Sequence, residues 1–200
     1  MSADKPQLVV ADVRAWRAWL EKNHSNLDGV WLLLAKKDTL KPTSLTYTQA
    51  LEEALCFGWI DGQGRRADEA TFIQSFTPRR KRSPWSKRNT GTAERLVVEG
   101  RMHASGIAEI DRAKADGRWE AAYSGPANIE VPAELAAALA VRPKAQATFA
   151  TLNSQNRYAI LYRIATVKRA DTRTRKIAEF VDMLERGETI HPQKAARVRL

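Results

Sequence analysis

The residues best suited to chemistry lie between Cys56 and Asn89, which read C-F-G-W-I-D-G-Q-G, a spacer, and then F-T-P-R-R-K-R-S-P-W-S-K-R-N. Asp61, between Ile60 and Gly62, is a turn former bonding its own backbone, a structural ion-pair partner of Arg79, or a carboxylate facing a pocket, where it would serve as a general acid or base. Arg79 and Arg80 carry planar guanidinium forks that suit carboxylate or phosphate. Trp59 and Trp85 offer rings on which a cation or a flat group can stack. Ser83, Ser86 and Asn89 add short polar groups at a spacing of three, as on one face of a helical turn. Gly62 and Gly64 are two apart, so on a strand they share a face that either admits a close neighbour or marks a bulge.

Common catalytic signatures are absent. The chain has no phosphate-binding G-x-x-x-x-G-K-[ST] loop, no G-x-S-x-G elbow, no G-x-G-x-x-G after a strand and no H-E-x-x-H. His24, His103 and His191 are far apart in sequence and lack cysteine or carboxylate partners at ligand spacing, so neither a metal site nor a cofactor is expected. Cys56, the only cysteine, stands between Leu55 and Phe57 and reads as a small core side chain. A single cysteine excludes an internal disulfide framework and fits a reducing compartment.

The elements that must position these residues follow from local patterns. Asp12 caps a helix carrying Val13, Trp16, Trp19 and Leu20 that ends near Asn23-His24. The apolar run Val30 to Ala35 is a buried strand. Thr46 and Gln49 form a capping box opening a helix through Leu51, Ala54 and Leu55, which Gly58 stops. Trp59 to Arg66 and Thr71 to Thr77 are two strands joined by a turn at residues 67–70, with Pro78 ending the second. This hairpin returns Arg79 and Arg80 toward Trp59 and Asp61. Thr92 is expected to cap a helix running to Gly100, and a further helix spans Ser105 to Ala115. Beyond the loop-like stretch from Trp119 to Pro132, four helices follow: Glu134 to Ala140, one opened by Pro143, one capped by Asn153 or Ser154, and one capped by Asp171 or Thr172 and stopped by Gly187. The fold class is α+β. A small antiparallel-type sheet with helices fills residues 1–105, a helical unit covers 106–188, and a basic tail occupies 189–200.

Charge is unevenly spread. The formal net charge is +10, yet residues 1–60 balance at seven basic and seven acidic side chains. Residues 79–101 hold eight Lys/Arg against Glu94 and Glu99, and residues 157–176 hold seven against Asp171. Such concentration is either a solvated basic surface or the mark of an anionic partner: nucleic acid, an anionic membrane surface, or a phosphate- or carboxylate-bearing small molecule. No signal-peptide pattern and no apolar run long enough to span a bilayer is present, so a soluble cytoplasmic protein is expected.

The pattern A-L-C-F-G-W-I-D-G followed by F-x-P-R-R-x-x-S-x-W-S-x-x-N resembles the YdeI/OmpD-associated, or bacteriocin-protection, family, over about residues 45–105. T-R-T-R-K-I-A-E-F-V-D-M-L-E-R-G resembles that family's closing helix, within residues 155–187. The resemblance implies a small stress-protection protein and carries no established reaction. Its motif falls here on Gly58, Trp59, Asp61, Gly62, Arg79, Arg80, Ser83, Trp85, Ser86 and Asn89. A strongly cationic chain is a poor direct sink for cationic peptides, so protection would act indirectly through an anionic partner.

The expected function is therefore anion binding at Trp59, Asp61, Gly62, Arg79, Arg80, Ser83, Trp85, Ser86 and Asn89, with catalysis left open and binding alone favoured. The alternatives are nucleic-acid binding through the two basic stretches, and an enzyme using Asp61 on an anionic substrate.

Overall fold

A computed structural model describes residues 5–167 and 169–193. The chain forms two compact units that divide between Ala122 and Tyr123.

The first unit runs β1 (Gln7–Leu8), α1 (Val13–Asn23), β2 (Val30–Ala35), α2 (Tyr47–Cys56), β3 (Trp59–Arg66), β4 (Thr71–Pro78), α3 (Lys87–Val98) and α4 (Ala104–Ala115). The strand order is β1-β2-β4-β3. β1 pairs parallel to β2, whereas β2–β4 and β3–β4 are antiparallel. The sheet is thus mixed, not purely antiparallel, because α1 carries the chain back to β2 in the same direction as β1. Two residues are too few to show alternation, so β1 left no trace in the sequence pattern.

The start signals act as their chemistry requires. Asp12 Oδ1 accepts from Ala15 N at 2.9 Å. Thr46 and Gln49 bond reciprocally, with Thr46 N donating to Gln49 Oε1 at 3.0 Å. In the β3–β4 turn, Asp68 accepts from Ala70 N at 2.8 Å and from Thr71 N at 2.6 Å. The Thr71 hydroxyl and amide hold this carboxyl below the usual carboxylate range. The core gathers Trp16 and Leu20 from α1, Val30, Leu32 and Leu34 from β2, Leu51 and Leu55 from α2, and Trp59 and Phe76 from the hairpin.

Two details of the first unit differ from expectation. α3 starts at Lys87, capped by Ser86 rather than by Thr92. α4, expected in the C-terminal helical unit, belongs to the first: Ile110 and Ala113 lie in its core. Glycine makes this packing feasible at two places. A Cβ on Gly106 would stand 2.2 Å from the Cys56 carbonyl oxygen. Gly58 adopts φ +75°, and a Cβ there would meet Glu109 Cγ at 2.9 Å. The start of α4 therefore sits directly on the backbone where α2 turns into β3.

The second unit contains α5 (Ala133–Ala140), α6 (Pro143–Ala150), α7 (Ser154–Ala165) and α8 (Ala170–Glu185). Its separate core includes Leu135, Leu139, Phe149, Ile160, Leu161, Ile164, Ile177, Phe180 and Leu184. Asn153 caps α7 through Asn156 N at 2.8 Å. α8 begins after Arg169 without a side-chain cap, not at Asp171 or Thr172, and Asp171 pairs with Arg169 instead.

The expected tail at 189–200 is tied down in its described part. Asn156, fully buried, accepts from His191 N at 2.8 Å and donates to His191 O at 3.0 Å. Gln193 Oε1 accepts from Asn153 N at 3.1 Å. Residues 194–200 lie outside the described residues.

Candidate functional site

The hairpin register pairs Trp59 with Pro78 and Asp61 with Phe76. Arg79 therefore returns to the start of β3, where its N–H donates to Gly58 O at 2.9 Å. The backbones converge as expected, but the side chains take different directions.

Trp59 is 1% exposed, and its indole N–H donates to His24 O at 3.0 Å. Its ring meets Trp19 edge-on at 5.9 Å. Trp59 is thus part of the core and presents no ring to solvent. Asp61 is half-buried and accepts from the Tyr47 hydroxyl at 2.8 Å. The ladder shifts between Asp61 and Gly64, so Gly62 and Gly64 mark a bulge, not a bare flat strip. Gly62 O accepts from Gln74 Nε2 at 2.7 Å.

Arg79 is 5% exposed. Its guanidinium lies 3.6 Å from the Trp85 ring centroid, and Nη1 donates to Pro84 O at 3.2 Å. Trp85, also buried, packs on Trp119 with centroids 4.8 Å apart. Arg and Trp meet as the sequence suggests, but they stack on each other. The serines close the connection between β4 and α3. Ser83 Oγ accepts from Arg80 N at 3.0 Å, and Ser83 O accepts from Arg118 Nη1 at 2.9 Å. Ser86 Oγ accepts from Asn89 N at 3.2 Å, and Asn89 is buried in the first turn of α3.

The motif therefore builds a scaffold, and what it displays lies beside it. Arg80, Lys81, Arg82, Lys87 and Arg88 are all exposed, and residues 80–88 contain no acidic side chain. Among the described residues, none of these five cations makes an ion pair. Arg88 lies over the Tyr47 ring at 5.9 Å, beside the Tyr47–Asp61 bond. Other arginines of the unit contrast with them: Arg95 pairs with Glu52 and Glu99, and Arg101 with Glu52, Glu53 and Glu99. Like charges held together without counter-charges leave a positive potential that only an outside anion relieves.

The second basic stretch behaves differently. Arg169 pairs with Asp171, Arg173 with Glu134, and Arg175 and Lys176 with Glu179. Arg157 lies over the Phe149 ring at 4.5 Å. Lys168 lies outside the described residues. Four of its cations are thus paired with carboxylates of the second unit.

One grouping was not legible in the sequence. His24 and His103, far apart in the chain, meet with ring centroids 4.7 Å apart, and His103 stacks on Phe57 at 4.9 Å. Beneath them Glu53, 4% exposed, accepts from Arg17 at 2.7 Å and from Arg101 at 2.6 Å. Burial, reinforced by the Glu53 charge, pushes the Cys56 thiol up to about 11 against the pull of Arg101 and Arg17. Only Gly58 and Gly106 hinted at this crossing of α2 and α4, and only through their lack of a side chain.

Residues 8–109 match the family model described as Domain of unknown function (DUF8412). The chain belongs to that family. Residues 128–187 match a second model, described as Bacteriocin-protection, YdeI or OmpD-Associated, which bears out the resemblance over the second unit. The W-I-D-G and P-R-R-x-x-S-x-W-S pattern lies within the first match and outside the second. No curated protein and no solved structure matches the chain. Among the described residues, no helix is long and apolar enough to cross a membrane.

Proposed function

We propose that the chain is an anion-binding protein, serving a stress-protection role of the kind its bacteriocin-protection match names. The observation that carries this is the run of five exposed cations, Arg80, Lys81, Arg82, Lys87 and Arg88, without acidic partners among the described residues. The packing of Arg79 on Trp85 and of Trp85 on Trp119, together with the Ser83 bonds, holds the run in place. A fixed cationic rim binds anions without first having to order itself, so less entropy opposes binding. Tyr47, bonded to Asp61, borders the rim, with Arg88 5.9 Å from its ring.

The test is calorimetric titration with inorganic tripolyphosphate of the native chain and of the Arg80→Gln/Lys81→Gln/Arg82→Gln variant. Native binding that weakens with salt and is largely lost in the variant supports the reading. Equal binding by both would overturn it. A parallel titration with single-stranded DNA addresses nucleic acid as the anion, because each neutralised phosphate steepens the salt dependence. The internal pairing of the second basic stretch favours the smaller anion.

A further inference from the structure

The second unit contains a groove of about 530 Å³, well within the range of small-molecule sites. Its walls combine aromatic faces with polar groups that have no other work. Tyr158 and Tyr162, one turn apart on α7, lie with centroids 5.6 Å apart, and Tyr123 meets Tyr162 edge-on at 5.0 Å. Ala159, between them in sequence, leaves room for a flat group. Pro126, Arg163 and His191 also line the groove. Among the described residues, no hydrogen bond or ion pair engages the Tyr158 or Tyr162 hydroxyl, the Arg163 guanidinium or the His191 ring. Arg169, Arg173 and Arg175 of the same unit pair with carboxylates and Arg157 lies over the Phe149 ring, whereas Arg163 is left to the groove.

The groove is also a built feature. His191 reaches it because Asn156, fully buried, clamps the His191 backbone through both its amide oxygen and its amide nitrogen. The Thr189 hydroxyl reinforces this by donating to His191 O at 2.9 Å. Burying an asparagine side chain to fix a half-buried loop is costly unless its bonds are met, and here they are. Burial, aided by the other two tyrosines, raises the Tyr158 hydroxyl above its ordinary value, so at neutral pH it remains a donor.

We infer that this groove binds a small aromatic molecule carrying one anionic group, the ring lying against Tyr158 and Tyr162 and the anion meeting Arg163 and His191. The aromatic faces disfavour a purely aliphatic acid. The unpaired guanidinium repels cations, and a lining with a single Arg and one imidazole suits one anionic group better than a polyphosphate. Aromatic carboxylates and nucleoside monophosphates share this chemistry.

The experiment is an NMR titration of the full chain, reading the ring signals of Tyr158 and Tyr162. The probes are 4-hydroxybenzoate and adenosine monophosphate, with cyclohexanecarboxylate (charge without a ring) and benzamide (a ring without charge) as controls. Saturable shifts are expected for at least one of the first two, which identifies the source of the anion. Both controls should bind at least about tenfold more weakly, and Arg163→Gln should weaken the anionic probe about tenfold while leaving benzamide unchanged. Arg163 is exposed, so its replacement preserves the fold. Equal binding of cyclohexanecarboxylate, indifference to Arg163→Gln, or no saturable shift for either aromatic anion overturns the inference. The Arg80→Gln/Lys81→Gln/Arg82→Gln variant should bind these probes as the native chain does, which separates this site from the cationic connection.

Discussion

Replacing Arg79 with lysine keeps the charge and removes the geometry. Arg79 is 5% exposed, stacks on Trp85 at 3.6 Å and donates to Pro84 O at 3.2 Å. A desolvated cation–π contact is worth about 2 kcal/mol. A hydrogen bond from a charged donor adds roughly 1.5–3 kcal/mol. Lysine has a compact ammonium with neither a stacking plane nor a fork, so it recovers only part of this and leaves a charge less well satisfied in the same buried space. The expected loss is about 2–4 kcal/mol. All six tryptophans lie between Trp16 and Trp119, so intrinsic fluorescence during urea unfolding reports on the first unit. Arg79→Lys should lower the urea midpoint with an unchanged slope. It should also weaken tripolyphosphate binding, although all five exposed cations remain. A stability loss below about 0.5 kcal/mol, the size of an ordinary surface substitution, would refute the anchoring role.

Further expectations can be checked on the same protein. Gly106→Ala forces a Cβ to within 2.2 Å of the Cys56 carbonyl, so α4 must shift. The expected loss is about 1–3 kcal/mol in the first unit, measured by urea unfolding. The Cys56 thiol, raised from an ordinary 9.0 to about 11, should resist thiol reagents in the folded state and react promptly in denaturant. Because the folded state holds this proton more tightly, the thiol's contribution to stability is complete below pH 9 and is lost as pH rises toward 11. Cys56→Ala should flatten that part of the stability profile. Asn156→Ala removes the clamp on His191 and Gln193, so hydrogen exchange at residues 189–193 should accelerate by about tenfold or more, each lost bond being worth about 1 kcal/mol.

Elements whose ends are fixed by neighbouring residues were legible in the sequence. Asp12, the Thr46–Gln49 box and Gly58 mark ends of α1 and α2 through bonds or backbone angles spanning a few residues. The hairpin was equally readable, because Asp68 closes its turn locally. What distance in the chain decides was not legible. Trp59 and Trp85 have the composition of a stacking site, but whether a ring faces solvent depends on what packs over it, here α1 for Trp59 and Trp119 for Trp85. α4 joined the first unit because Gly106 fits against Cys56, a contact across fifty residues that no local pattern encodes. The run Arg80–Arg82 was visible as charge, whereas its lack of counter-charges required knowing where Glu52, Glu53 and Glu99 point.

The most direct measurement is an amide NMR titration of the ¹⁵N-labelled chain with inorganic tripolyphosphate at low salt and again at physiological salt. The amides of residues 80–88 should move saturably together, and the response should weaken as salt screens the exposed cations. Saturable shifts that leave 80–88 untouched, or no saturable shifts at low salt, would contradict it.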